Sequence, residues 1–281
     1  MSIRIITDST CDIPTFLIKK YGIIELPLTV HFGSEEFKDR VDITSEEFYK
    51  RLVNGTELPS TSQVSPGSFA DIYKSELEKG NTIVSIHISS ELSGTYQSAV
   101  IAKHSLGDDD RIAVIDSRTT TIALGMVVIK AAELSIQGVN QKNIVKEINE
   151  YVKKVRILIA VDTLKYLKKG GRLTGAQALI GDVLNIKPIL TVEDGKVVVV
   201  EKVRGKRKVS NRMIELMKEK IGSRAGQVIS VANAKCPDTI EEVKKLIAVE
   251  FCNTEFIDTE VGSVIATHVG PGAYGVVFVE A

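Results

Sequence analysis

The chain has 281 residues, 43% of them hydrophobic, enough for one large or two ordinary domains with full cores. The 36 basic residues balance 36 acidic ones, so no overall field draws the protein to nucleic acid or an anionic membrane, and any such contact is local. The longest apolar runs are strand-sized, which excludes a membrane-spanning helix.

From Ile3-Arg-Ile-Ile-Thr7 onward, short apolar runs alternate with amphipathic segments. That alternation predicts an α/β fold, a parallel sheet flanked by helices. Asp8-Ser-Thr-Cys-Asp-Ile-Pro14 supplies capping side chains and a proline suited to a first helical turn, with Gly22 closing the helix. Thr44-Ser-Glu-Glu47 reads as a capping box for a helix to about Asn54. Ser65-Pro66 starts another helix, which Gly80 ends.

Strands are expected at 82–88 and 111–116, then a helix at 122–137 stopped by Gly138 and a charged helix at about 140–155. We place the domain boundary there: residues 1–155 as an N-terminal α/β domain and 156–281 as a C-terminal α+β domain. The second half opens with a strand at 156–161. Two strand patterns, 186–193 and 196–203, then flank Asp194-Gly195, a strong hairpin signal. Units at 227–232 and 237–251 precede a glycine-rich tail, Gly270-Pro-Gly-Ala-Tyr-Gly275.

The three cysteines, Cys11, Cys236 and Cys252, lack metal-type spacing, and the start carries neither a signal peptide nor a transit sequence. A cytoplasmic protein without metal or cofactor is the expectation. Asp8 and Asp12 are two carboxylates without a third ligand, and helix capping explains them.

The most informative stretch is the apolar strand ending at Ile88 and the hydroxyl-rich turn Ser89-Ser-Glu-Leu-Ser-Gly-Thr-Tyr-Gln-Ser98. A helix N-terminus there offers unpaired N–H groups, and Ser90, Ser93 and Thr95 would add hydroxyl donors for an anion. The competing reading is that Ser90 or Ser93 only caps the helix. Thr61-Ser-Gln63 reads as a polar loop between Pro59 and Pro66. Lys168-Lys-Gly-Gly-Arg172 is either a solvated turn or an arginine fork for an anion.

Of His31, His87, His104 and His268, only His268 lies among glycines that admit close backbone approach. Ser93 with His268 would make a serine hydrolase conceivable, but the nucleophile elbow needs glycines where Glu91 and Thr95 stand. Lys202, Arg204, Lys206, Arg207, Lys208 and Arg212 form one basic cluster, either a docking face or a solvated helix entry.

Taken together, the motifs at 8–14, 61–63, 90–98, 162–172 and His268-Val-Gly-Pro-Gly-Ala273 closely resemble the DegV family across essentially the whole chain. The resemblance implies two domains with a lipid tunnel between them, holding a long-chain fatty acid whose carboxylate is presented to a separate fatty acid kinase. By motif, Thr61 and Ser93 look like the carboxylate donors, Arg172 and His268 like members of the surrounding network, and Ser62 and Gly94 like second choices. Departures are Arg118-Thr-Thr-Thr-Ile-Ala-Leu-Gly125, poorer in small residues than usual, and Val269 in place of a hydroxyl residue.

A non-enzymatic lipid-binding subunit is therefore the leading expectation. The alternative is an acyl hydrolase or transferase using Ser93 and His268; a third option is a regulatory lipid sensor without a kinase. Transient contact with an anionic membrane surface through Lys202, Arg204, Lys206 and Arg207 is expected, with no nucleic-acid partner.

Overall fold

The computed structural model describes residues 2–55, 57–107, 110–173, 186–221 and 226–280. In chain order the first half contains β1 (Ile3–Asp8), α1 (Thr15–Tyr21), β2 (Ile24–Leu26), β3 (Thr29–Phe32), β4 (Glu35–Lys38), α2 (Ser45–Asn54), β5 (Ser60–Ser62) and α3 (Pro66–Glu78). It continues with β6 (Thr82–His87), α4 (Thr95–Ser105), β7 (Ile112–Asp116), α5 (Thr121–Ile136) and α6 (Gln141–Val152). The second half contains β8 (Val155–Ala160), α7 (Lys165–Lys169), β9 (Ile186–Glu193), β10 (Lys196–Arg204), α8 (Lys206–Ile221) and β11 (Val228–Asn233). It ends with α9 (Pro237–Glu250), β12 (Glu255–Glu260), α10 (Ser263–Val269) and β13 (Tyr274–Val279).

The caps act as their residue types require. Thr44 Oγ1 accepts from the Glu47 N–H at 3.2 Å and Ser65 Oγ from the Ser68 N–H at 3.1 Å, satisfying amides that have no intrahelical partner. Pro14 stands one position earlier than expected, as the N-cap of α1, and Gly22 closes that helix at φ 61°. The β9–β10 turn has both central residues at positive φ, Asp194 at 49° and Gly195 at 80°, as a two-residue hairpin demands.

Four parallel strands form one sheet in the order β2-β1-β6-β7. A second sheet has the order β10-β9-β8-β13-β11-β12, antiparallel except for β11 with β12. The fold is thus α/β with a parallel sheet and a second, mixed sheet. Two expectations are corrected here. The glycine-rich tail is not a tail: it leads into β13, a central strand between β8 and β11. Thr61-Ser-Gln63 is not a loop, because its first two residues belong to β5 in a small sheet of order β4-β3-β5. The polar Ser60–Ser62 has no apolar periodicity to announce a strand, and its pairing with β3 supplies it.

α5 is apolar and buried over most of its surface, the exceptions being Lys130, Glu133, Ser135 and Ile136 in its second half. It packs against β1 and β6 of the parallel sheet and also against β8, β11 and β13 of the mixed one. Along β8 the side chains alternate accordingly. Ile157 and Ile159 join the core shared with α5, whereas Leu158 and Ala160 join a second core under α8 and α9. No described helix is long and apolar enough to cross a membrane.

Gly125 marks the closest approach of α5 to the segment after β1, since a Cβ there would lie 2.6 Å from the Cys11 carbonyl oxygen and 2.9 Å from Ile13 Cγ1. Helix propensity favours Gly125→Ala by about 1 kcal/mol. Overpacking against immobile backbone costs about 1–3 kcal/mol and wins. The expected outcome is a net loss of stability, read as a lower melting temperature by calorimetry.

Candidate functional site

A cavity of about 330 Å³ opens where the first turn of α5 faces the inner side of the mixed sheet. Its body is aliphatic: Leu28, Ile88, Ile122, Ile157, Ile159, Leu190, Val197, Val264 and Val277. Thr61, Gln63, Ser93, Gly94, Arg172 and His268 supply a polar set in the same lining. The polar set comes from four separate segments, and Thr61, Ser62, Ser93, Gly94, Arg172 and His268 all lie along this one cavity.

Each polar group reaches the cavity through its own element. Thr61 lies on β5, and its Oγ1 is 3.0 Å from His268 Nε2, on the last turn of α10. His268 Nδ1 is buried without a partner. An unpaired N–H costs more than an unpaired lone pair, so the favoured tautomer carries its proton on Nε2 and donates to Thr61. That arrangement leaves the Thr61 hydroxyl proton free for a ligand. Burial first, and then the Arg172 charge, lower the His268 pKa to about 4, so the ring is neutral at physiological pH.

Ser93 precedes α4, with its Oγ 2.9 Å from Thr95 Oγ1 and accepting weakly from the Thr95 N–H at 3.3 Å. Both the capping role and the donor role thus fall to one hydroxyl, because donation from the buried Thr95 hydroxyl frees the Ser93 proton. Arg172 donates from Nε to the Leu92 carbonyl at 3.0 Å and from Nη1 to the Gly170 carbonyl at 2.5 Å. Among the described residues its Nη2 makes no hydrogen bond, and the Leu92 bond ties the chain after α7 to the turn that carries Ser93.

Gly94 is required for close approach. A Cβ on it would lie 2.0 Å from Gln63 Oε1, so only glycine lets Gln63 lie across the start of α4 and donate to Ser98 Oγ at 2.8 Å. Sequence reasoning quoted Gln63 within its motif without giving it a role.

Several expectations are revised. The Ser90 hydroxyl donates to Asp116 Oδ2 at 2.6 Å and does not line the cavity. Ser62 Oγ pairs with His31 Nε2 at 2.9 Å, because successive residues of β5 point to opposite faces and Thr61 takes the inner one. The Ser93–His268 bond that a hydrolase would need is absent among the described residues: His268 bonds Thr61, and no carboxylate orients its other nitrogen. Arg212 is no free cation, since Glu201 and Glu215 hold it at 2.8 Å and Glu219 at 3.4 Å. Lys202, Arg204 and Lys208 are exposed, while the side chains of Lys206 and Arg207 lie outside the described residues.

Asp8 and His87 form a buried relay. His87 Nδ1 sits 2.9 Å from Asp8 Oδ2, and Ser85 Oγ lies 2.7 Å from His87 Nε2 and accepts from the Tyr73 hydroxyl at 2.8 Å. All these side chains are fully buried, so the relay braces β1 against β6 and offers no access to a substrate.

The model of the DegV family, described as an uncharacterised protein family, matches residues 2–281. This chain belongs to the DegV family. A DegV domain-containing protein of Caldanaerobacter subterraneus is 41% identical over 278 residues, 99% of each chain. Among solved structures, a DegV family protein from Thermus thermophilus, described with its fatty acid binding, superposes with a TM-score of 0.93 at 32% identity, covering 100% of both chains. DegV of Bacillus subtilis, described as a fatty acid binding protein, gives 0.89 at 34% identity over 100% of both. These DegV relatives match end to end, so this chain shares both sheets with them and not one half alone.

The pH dependence of the site follows from His268. Its folded pKa of about 4 lies below the ordinary value of about 6.5, so its contribution to stability is complete above pH 6.5 and is lost as pH falls toward 4. Nitrogen-15 NMR should show a neutral His268 imidazole at pH 6, and His268→Asn should flatten the fall in melting temperature between pH 6 and 4. Asp12 behaves oppositely. Burial raises its carboxyl to about 7, so the favourable contribution is complete below pH 4 and fades as pH rises through 7. The melting temperature of Asp12→Asn relative to the parent should therefore climb between pH 4 and 7 and level off above.

Proposed function

We propose that the cavity holds a long-chain fatty acid with its carboxylate among Thr61, Ser93, Arg172 and His268, and that the protein presents this carboxylate to a separate kinase for acyl phosphate formation. The observation that carries the reading is one cavity with an aliphatic body and a cluster of donors without acidic side chains. An ionised carboxylate only accepts hydrogen bonds, and removing it from water is costly unless donors replace its hydration. Thr61 and Ser93 hydroxyls and the Arg172 guanidinium are such donors. Burial of the acyl chain contributes roughly 0.8 kcal/mol per methylene before association costs are subtracted.

The fatty acid binding described for the Thermus and Bacillus proteins supports the same ligand class here. A carrier reading is favoured over hydrolysis because His268 lacks both a bond to Ser93 and an orienting carboxylate. The kinase partner rests on the family resemblance and on the placement of the donors at a cavity lining built from loops and helix ends, where a partner can reach.

Mass spectrometry of lipid extracted from the purified protein should find a stoichiometric long-chain fatty acid; an empty extract from protein that also fails to bind added fatty acid would sink the reading. Ser93→Ala should weaken binding by about 1–3 kcal/mol, the cost of leaving a buried charged group one donor short. Thr61→Ser should be milder than Thr61→Val, since serine keeps the hydroxyl, and titration calorimetry ranks them. Reversing Lys202 and Arg204 to Glu should slow phosphorylation by the partner without altering fatty acid affinity, the difference shrinking as salt rises. Equal rates at low salt would place the docking face elsewhere.

A further inference from the structure

α10 carries His268 in its last turn, and its entry is anchored from far away in the chain. The Gly262 N–H donates to Asp12 Oδ1 at 2.8 Å across a separation of 250 residues, and the Ser263 N–H donates to Asp39 Oδ1 at 3.0 Å across 224. Both carboxylates are 1% exposed. Gly262 fits between them with no room to spare: a Cβ would lie 2.9 Å from Asp12 Oδ1 and 3.3 Å from Asp39 Oδ2.

We propose that Asp12 and Asp39 are positioning residues of the ligand site, which together fix the start of α10 and so set the orientation in which His268 meets Thr61. A seven-residue helix has too few internal hydrogen bonds to hold a direction by itself, so tertiary anchors decide it. Both anchors are amide-to-carboxyl hydrogen bonds to buried acceptors, and losing either would leave a helix-entry N–H unpaired. Two anchors on consecutive amides, from different loops, restrict both the tilt of the helix and its rotation about its axis. Rotation is the variable that aims a side chain on the last turn.

Asp12 has a second attachment that links the two walls of the cavity. Its Oδ2 accepts from Thr121 Oγ1 at 2.6 Å, and Thr121 is the first residue of α5 and part of the cavity lining. Thr121 stands at φ 50°, a conformation that a β-branched residue adopts only when its surroundings impose it. One carboxylate therefore holds both the helix that aims the histidine and the strained turn that walls the chain. The local sequence explains Asp12 as a cap of its own helix, but its side chain caps neither α1 nor the turn before it.

The binding arm of the test rests on the fatty acid reading; the spectroscopic arm does not. Asp12→Ala and Asp39→Ala remove the acceptors that hold the Gly262 and Ser263 amides. In each, palmitate affinity by calorimetry should fall about tenfold, equal to about 1.4 kcal/mol. The His268 imidazole, followed by nitrogen-15 NMR in the ligand-free protein, should titrate upward from about 4 as the ring shifts from its buried position. Lower melting temperature with unchanged His268 titration and unchanged affinity would make both residues merely structural and overturn the proposal.

If Asp12→Ala does not fold, Gly262→Ala displaces the same carboxyl groups without removing them and should produce the same His268 shift; a folded variant without it overturns the proposal. Failure of the parent to bind palmitate, with the His268 shift still present in the variants, sinks the fatty acid reading and leaves the positioning role standing. Normal binding by parent and variants, without the shift, does the reverse.

Discussion

A helix that is apolar over most of its surface has to be covered on more than one side, and α5 meets that requirement by lying between two sheets. The parallel sheet covers it with β1 and β6, and the mixed sheet with β8, β11 and β13. The two halves of the chain are joined by this shared layer more than by any linker. Where α5 starts, the layer ends while both neighbours continue, and the cavity lies there.

The same arrangement explains why the polar groups lie where they do. Loops after β1, β6 and β7 and the starts of α4 and α5 all follow parallel strands, at the end of an open α/β sheet where ligands collect. The mixed sheet offers an aliphatic inner face from alternate residues such as Ile157 and Ile159. Donors thus come from segment ends and apolar surface from a sheet face. An amphiphile with a small anionic head and a long tail fits that division of labour.

Few contacts decide the precision of the donor set, and most of them cross between the halves. Arg172 reaches the Leu92 carbonyl, His268 reaches Thr61, and Asp12 reaches Gly262. The hairpin tip is tied in similarly, with Ser89 Oγ donating to the Gly195 carbonyl at 2.8 Å and Arg118 donating to the Asp194 carbonyl. Burial keeps His268 neutral, so the cationic character of the site comes from Arg172.

The local code determined much of this protein. The caps at Thr44 and Ser65, the hairpin at Asp194-Gly195 and the helix stopped by Gly138 are all readable, because each depends on residues within a few positions of one another. The family motifs also identified Thr61, Ser93, Arg172 and His268 as one group before their contacts were known. Only the tertiary structure decided that the Ser62 hydroxyl pairs with His31, that Ser90 serves Asp116, and that Gln63 lies on Gly94. It also turned the glycine-rich end into the lead-in to a central strand and gave Asp12 a partner 250 residues away. The physical reason is common to these cases: a short polar side chain satisfies its hydrogen bonds with whatever the fold brings within about 3 Å, and sequence spacing carries no record of that neighbour.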